Sequence, residues 1–156
     1  MECDCFLLNL IMANDGKTLI EEHNIISLRY ACVVEVDGFV ALQLMPAQSS
    51  MAAKQNVYKT EYWERLKAYY AFLYQHIPSA SRIPDSGIRQ FAFEKPPKLK
   101  LLWTDSGNSI AVYLNGEPWA FIDEHTQKAY SKGVLDSKSG NPWDQKAFER
   151  TFVSAD

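Results

Sequence analysis

Nothing in this sequence is basic enough, apolar enough or cysteine-rich enough to place it in a specialised class. Lysine and arginine number 16 against 19 acidic residues, a net charge of -3. The chain therefore lacks the excess of cations that neutralises phosphates on a nucleic acid. Its one short basic cluster, Lys95, Lys98 and Lys100 around Pro96 and Pro97, reads as a loop entering a strand. The apolar stretch over residues 6–13 is broken by Asn9 and preceded by Glu2 and Asp4, and no small-residue cleavage site follows it. No secretory leader is expected there, and no run is long enough to span a bilayer. Three cysteines, two of them at Cys3 and Cys5, make no disulfide framework, so a reducing cytoplasm is the expected location. The seven glycines are scattered singly among turns, which excludes a phosphate-cradling loop.

Reactive constellations are also missing. There is no Gly-x-Ser-x-Gly and no Cys beside a His, and a Ser-x-x-Lys starting at Ser50 misses Lys54 by one residue. Asp105-Ser106-Gly107 has the order of an aspartic-protease signature, but it occurs once and Thr104 precedes it, so a hairpin turn accounts for it. Cys3 and Cys5 with His23 or His76 would supply zinc-type ligands, yet one intervening residue is the wrong spacing for a knuckle, and small core filler is the expected role. His76 falls at a predicted helix end and His125 in a predicted turn. Glu117, Asp123, Glu124, Asp136 and Asp144 occupy turns and helix starts, where carboxylates are placed for local reasons. No catalytic residue, metal or cofactor is expected.

Aromatic residues are what the chain has in quantity: four Trp, eight Tyr and eight Phe among 156 residues. That supplies rigid contact area for a core or an interface, and the length suits one domain over residues 1–156. An ambiguous apolar run over residues 3–12 ends in Asn14-Asp15-Gly16, a turn. Residues 28–36 and 39–45 are β-branched and aromatic runs separated by Asp37-Gly38, the signal of a type I′ hairpin. Over residues 60–77, Tyr62, Leu66, Tyr69, Leu73 and Ile77 recur at three- and four-residue steps before Pro78, which predicts a long helix. Residues 78–97 hold four prolines and read as a long loop with a short strand-like patch at Phe91 and Phe93. From residue 98 a β-meander is predicted, with turns at residues 105–108, Asn115-Gly116 and 124–127, and its last strand at residues 128–132. Asn141-Pro142 reads as the start of a short helix through Phe152, docked by Trp143, Phe148 and Phe152. The expected fold class is α+β: an antiparallel meander of about five to seven strands packed against one long helix and a short C-terminal helix.

Leu101-Leu102-Trp103-Thr104-Asp105-Ser106-Gly107, the apolar strand after it, and Asn115-Gly116-Glu117-Pro118-Trp119-Ala120 together resemble a family of small uncharacterised bacterial proteins. The core of that family reads Trp-Ser-x-x-Gly, an apolar strand, and Asn-Gly-x-Pro-x-Ala. Val33 to Gly38 and Trp143 also look like it, and the likeness covers about half of the chain by this reading. It departs at residues 128–132, where the family's Arg-Gly-Tyr-Cys-Arg-like strand is Lys128-Ala129-Tyr130-Ser131-Lys132, and in residues 60–77. The resemblance implies a bacterial origin and a shared fold, and carries no activity.

On a helical wheel the apolar arc of residues 60–77 spans about 200°, roughly twice what one packed face needs. The surplus edge carries Trp63, Tyr70 and Tyr74. These, with Trp119 beyond the Asn115-Gly116 turn, are the expected partner-binding residues. The function this suggests is a non-enzymatic protein-binding domain of the immunity, inhibitor or adaptor kind. Its partner would be another protein, such as a toxin, or a second copy in a homodimer, with no nucleic acid or membrane involved. The alternative is a small-molecule binder or cryptic enzyme with an aromatic pocket between helix and sheet.

Overall fold

The computed structural model describes residues 17–45, 70–76, 87–137 and 140–153. Two five-stranded sheets make up most of it. The first holds β1 (Lys17–His23), β2 (Tyr30–Val36), β3 (Phe39–Met45), β4 (Tyr70–His76) and β5 (Gln90–Phe91) in that order. The second holds β6 (Leu99–Trp103), β7 (Ile110–Leu114), β8 (Glu117–Asp123), β9 (Lys128–Ser131) and β10 (Asn141–Pro142), also in chain order. Neighbours pair antiparallel except β4 with β5 and β9 with β10, which are parallel. The Asp37-Gly38 and Asn115-Gly116 corners have positive φ at both residues, 52° and 84° in the first and 52° and 86° in the second. That is the type I′ geometry which matches strand twist.

Period-two alternation sends one set of side chains from each sheet into a shared core. Val33, Val40, Leu42, Leu44 and Leu73 of the first sheet meet Ile110, Val112, Leu114, Ala120 and Ile122 of the second. Ala111 and Phe121, on the opposite face of the second sheet, are covered by Ala147 and Phe148 of the C-terminal helix α1 (Gln145–Phe148), with Trp143 and Phe152 beside them. The helix continues as a π turn over Glu149–Val153. Asp144 caps α1 by accepting from the Ala147 N–H at 3.0 Å.

Two expectations are corrected. Among the described residues no long helix packs against a meander: residues 70–76 of the predicted helix form β4, an interior strand of the first sheet between β3 and β5, while residues 60–69 lie outside the described residues. The physical reason is burial on both faces. Five consecutive residues, Ala71 to Gln75, are buried, and a strand covered on both sides shows a continuous apolar run without alternation, which sequence periodicity cannot separate from a helix. Asn141-Pro142 likewise does not start the C-terminal helix. It pairs with Tyr130 and Ser131 of β9, and the helix begins after Asp144. Among the described residues no helix is long and apolar enough to cross a membrane.

A register break in each sheet joins the two layers. The β3/β4 pairing steps from Val40↔Tyr74 to Ala41↔Phe72, leaving Leu73 as the inserted residue. The β7/β8 pairing steps from Val112↔Ala120 to Tyr113↔Pro118, leaving Trp119. The Trp119 indole Nε1 donates to the Leu73 carbonyl at 2.7 Å, so one bulge satisfies the other across the core. On the β4 side the sheets are also stitched by Arg89 N–H to the Gly133 carbonyl at 2.7 Å and an isolated bridge between Ile88 and Val134. On the β1 side, Trp103 Nε1 donates to Glu22 Oε1 at 3.0 Å, and Arg29 meets Glu124 at 3.2 Å.

Candidate functional site

The sheets are held together at the C-terminal ends of β1 and β6 by the Trp103 to Glu22 bond, and they part at the other ends of the same strands. A cleft of about 650 Å³ opens there. Its walls are the first half of β1, from Lys17 to Ile20, and the proline-bearing segment that leads into β6. Glu35, Tyr74 and His76 line it from the first sheet, with Phe93 and Glu94 opposite.

Register explains why these side chains share one place. Lys17 pairs with Glu35, Glu35 with Val40, and Val40 with Tyr74, so the four form one row across β1 to β4 on the core-facing side. The row lies at the edge of the core, where its apolar members give way to a carboxylate and a phenol. The Tyr74 ring is 3% exposed and packs edge-on against Phe91 and Phe93, at 6.0 and 5.1 Å between centroids. Phe91 in turn packs against Trp119. Tyr74 lines the cleft, and its hydroxyl has no hydrogen-bond partner among the described residues. Burial, and then the nearby Glu35 charge, push its pKa up to about 12, so it stays a protonated donor. Glu35 is half-buried and likewise makes no ion pair or hydrogen bond among the described residues.

No hydrogen bond joins Glu35, Tyr74, His76 and Glu94, and no serine or cysteine among the described residues lines the cleft. Among the described residues, no three His, Cys, Asp or Glu side chains are grouped as a metal ion would need.

Of the residues expected to bind a partner, Tyr74 lies at the cleft, though on a strand and not on a helix edge. Tyr70 is half-buried on the opposite face of β4, packed edge-on against Phe72 at 5.2 Å. Trp119 is half-buried and engaged with Leu73 and Phe91. Trp63 lies outside the described residues, as do Cys3 and Cys5. Among the described residues no long helix is present to form the alternative pocket between helix and sheet; the cleft stands between two sheets. Sequence reading missed Glu35, Phe93 and Glu94 as site residues, because what unites them is a cross-sheet register and a loop path. The one available signal was a carboxylate in an otherwise apolar strand, Val33-Val34-Glu35-Val36.

Cys32 occupies a separate row on the other face of the first sheet, between Glu21 and Gln43. Its Sγ is 3.8 Å from Gln43 Oε1, and Tyr30 donates its hydroxyl to Glu21 beside it. Burial first, opposed by a Tyr30 hydrogen bond and reinforced by the Glu21 charge, pushes the thiol from 9.0 up to about 11. A buried thiol held protonated is a poor nucleophile. It also makes stability depend on alkaline pH. The folded chain keeps the Cys32 proton where the unfolded chain releases it, so this contribution is complete below pH 9.0 and lost as pH rises to about 11. The loss should be on the order of 2 kcal/mol. Urea unfolding at pH 8 and pH 10.5 should show a steeper decline for the wild type than for Cys32→Ala; equal declines would contradict it.

No family model, no curated protein and no solved structure matches this chain, so the cleft and its register are what its function must be argued from.

Proposed function

We propose that this chain is a non-enzymatic binding domain that takes an extended segment of a partner protein into the cleft beside β1. The observation that carries the reading is the composition of the cleft walls. One wall is an edge strand: β1 pairs with β2 and with no other strand among the described residues. The outer edge of such a strand offers main-chain donors and acceptors to an added strand. The other wall is apolar and stiff, with Phe93, Pro96 and Pro97, and the floor holds a spare donor in Tyr74 and a spare acceptor in Glu35. A groove with backbone polarity along one side and side-chain pockets along the other suits a peptide in extended form. Among the described residues no hydrogen-bonded nucleophile and base line the cleft, which favours recognition over catalysis.

The test is selection of peptides from a random displayed library on the whole protein, followed by nuclear magnetic resonance mapping of the enriched sequences. Shifts should centre on residues 17–20, Tyr74 and Phe93. Because the Tyr74 hydroxyl has no hydrogen-bond partner among the described residues, Tyr74→Phe should leave the melting temperature unchanged while weakening the peptide about fivefold, the worth of one hydrogen bond. Shifts confined to other surfaces, or a failure to enrich any peptide, would overturn the reading. Small organic molecules that raise the melting temperature through the same residues, with no peptide enriched, would favour the small-molecule alternative.

A further inference from the structure

We infer that the cleft selects a cationic side chain, a lysine or arginine of the bound segment, with Glu35 as the carboxylate that receives it. The inference rests on the proposed segment-binding role and names what the segment must carry.

Glu35 is half-buried and lacks any partner among the described residues, although Lys17 stands directly opposite in register. Lys17 is exposed and its amine makes no ion pair with it. A partly desolvated carboxylate without a donor is costly, and a cation brought by a ligand would relieve that cost. The surroundings match both ends of a lysine or arginine. Its methylene stem would lie along Phe93, Pro96 and Pro97, as such stems cover apolar surface elsewhere. Its charged head would meet Glu35, the Tyr74 hydroxyl and the aromatic faces beside them.

A second feature is independent of the acidic residues. Tyr74 is 3% exposed and lines the cleft, and its hydroxyl has no hydrogen-bond partner among the described residues, which leaves a donor on a core residue at the place a ligand would occupy. Glu94 on the rim adds another negative charge. Among the described residues the cleft therefore holds two carboxylates, Glu35 and Glu94, against the one amine of Lys17. An acidic or neutral side chain would leave this imbalance standing.

The experiment uses the full chain and four probes: three acetylated, amidated pentapeptides identical except for a central lysine, norleucine or glutamate, and n-butylammonium. Binding is followed by nuclear magnetic resonance, including the side-chain carboxyl signals. The lysine peptide should bind about tenfold more tightly than the norleucine peptide, and the glutamate peptide more weakly than either. Glu35→Gln should bring the lysine peptide to the norleucine level, and Glu94→Gln should have a smaller effect in the same direction. Equal binding of lysine and norleucine peptides in the cleft would overturn the cation inference and leave the segment-binding role standing. Carboxyl shifts from n-butylammonium with none from any peptide would do the reverse. No shift from any probe would overturn both.

Discussion

Gly133→Ala should destabilise the fold by about 3 kcal/mol, near the upper end for overpacking a close-packed interior. A Cβ at this position would sit 1.7 Å from the Leu73 carbonyl oxygen and 2.4 Å from its carbon. Those are backbone atoms of a central strand, so they cannot swing aside as the tip of a long side chain would. The same carbonyl accepts the Trp119 indole at 2.7 Å, while the Gly133 carbonyl accepts the Arg89 N–H and its own N–H donates to the buried Ser131 hydroxyl. Moving any of these elements to admit a methyl group loosens the others. Gly116→Ala is the matched control. Nothing lies within 4 Å of a Cβ there, and its cost should be confined to the strain of φ 86°. Urea denaturation of both variants checks the contrast, and a Gly133 variant no less stable than the Gly116 one would refute the close approach.

The same contact explains why the second sheet was legible in the sequence and the first was only half so. β6 to β9 are a meander in which each strand is followed by its own turn chemistry, and local residues such as Asn115-Gly116 announce local pairing. The β2/β3 hairpin was readable for the same reason, through Asp37-Gly38. β4 is different. It is paired to β3 across residues 46–69, buried on both faces, and broken in register at Leu73, so neither alternation nor a flanking turn marks it. Tyr62, Leu66, Tyr69 and Leu73 have helical spacing, and nothing local contradicts it; the pairing that overrides it is a long-range one. Tyr74, expected on a sticky helix edge, and Trp119, expected as a contact beyond the Asn115-Gly116 turn, pack around a pair of bulges. β1 was missed for a simpler reason. Lys17-Thr18-Leu19-Ile20-Glu21-Glu22-His23 has the composition of an edge strand, polar and only partly buried, with too few apolar positions to show a period.

The cleft follows from that architecture. Two register breaks tie β4 to β8 near the middle of the sandwich, and the Trp103 to Glu22 bond ties the edge strands at one end. The free ends of β1 and β6 are left to diverge. A carboxylate at residue 35 is tolerated in an otherwise apolar strand because it sits where the core ends and the opening begins. Position in the sheet, more than residue type, makes Glu35 and Tyr74 available.

Phe121→Ala should cost about 3–5 kcal/mol, the range for removing a fully buried aromatic ring. Phe121 has no solvent exposure and is the hub of the outer cluster, with Tyr130, Trp143, Phe148 and Phe152 at 4.9, 5.4, 5.6 and 5.8 Å between ring centroids. The helix that carries Phe148 has four α-helical residues and continues for only the five of the π turn, too few to hold its shape without tertiary contacts. It stays in place because its aromatic face rests on this ring. Loss of the ring should therefore release the helix before the sheets separate, and amides of residues 145–153 should lose hydrogen-exchange protection at denaturant levels where β7 and β8 keep theirs. Phe121→Leu, which refills most of the space, should recover more than half of the stability. The cluster lies on the outward face of the second sheet, and the cleft is lined from the first sheet and the approach to β6. Peptide binding by Phe121→Leu should then match the wild type at temperatures where it is folded. A loss of under 1 kcal/mol in the alanine variant would show that Phe121 is not the hub. Simultaneous loss of protection in the helix and in β7 would show that the helix is integral to the sandwich and not docked upon it.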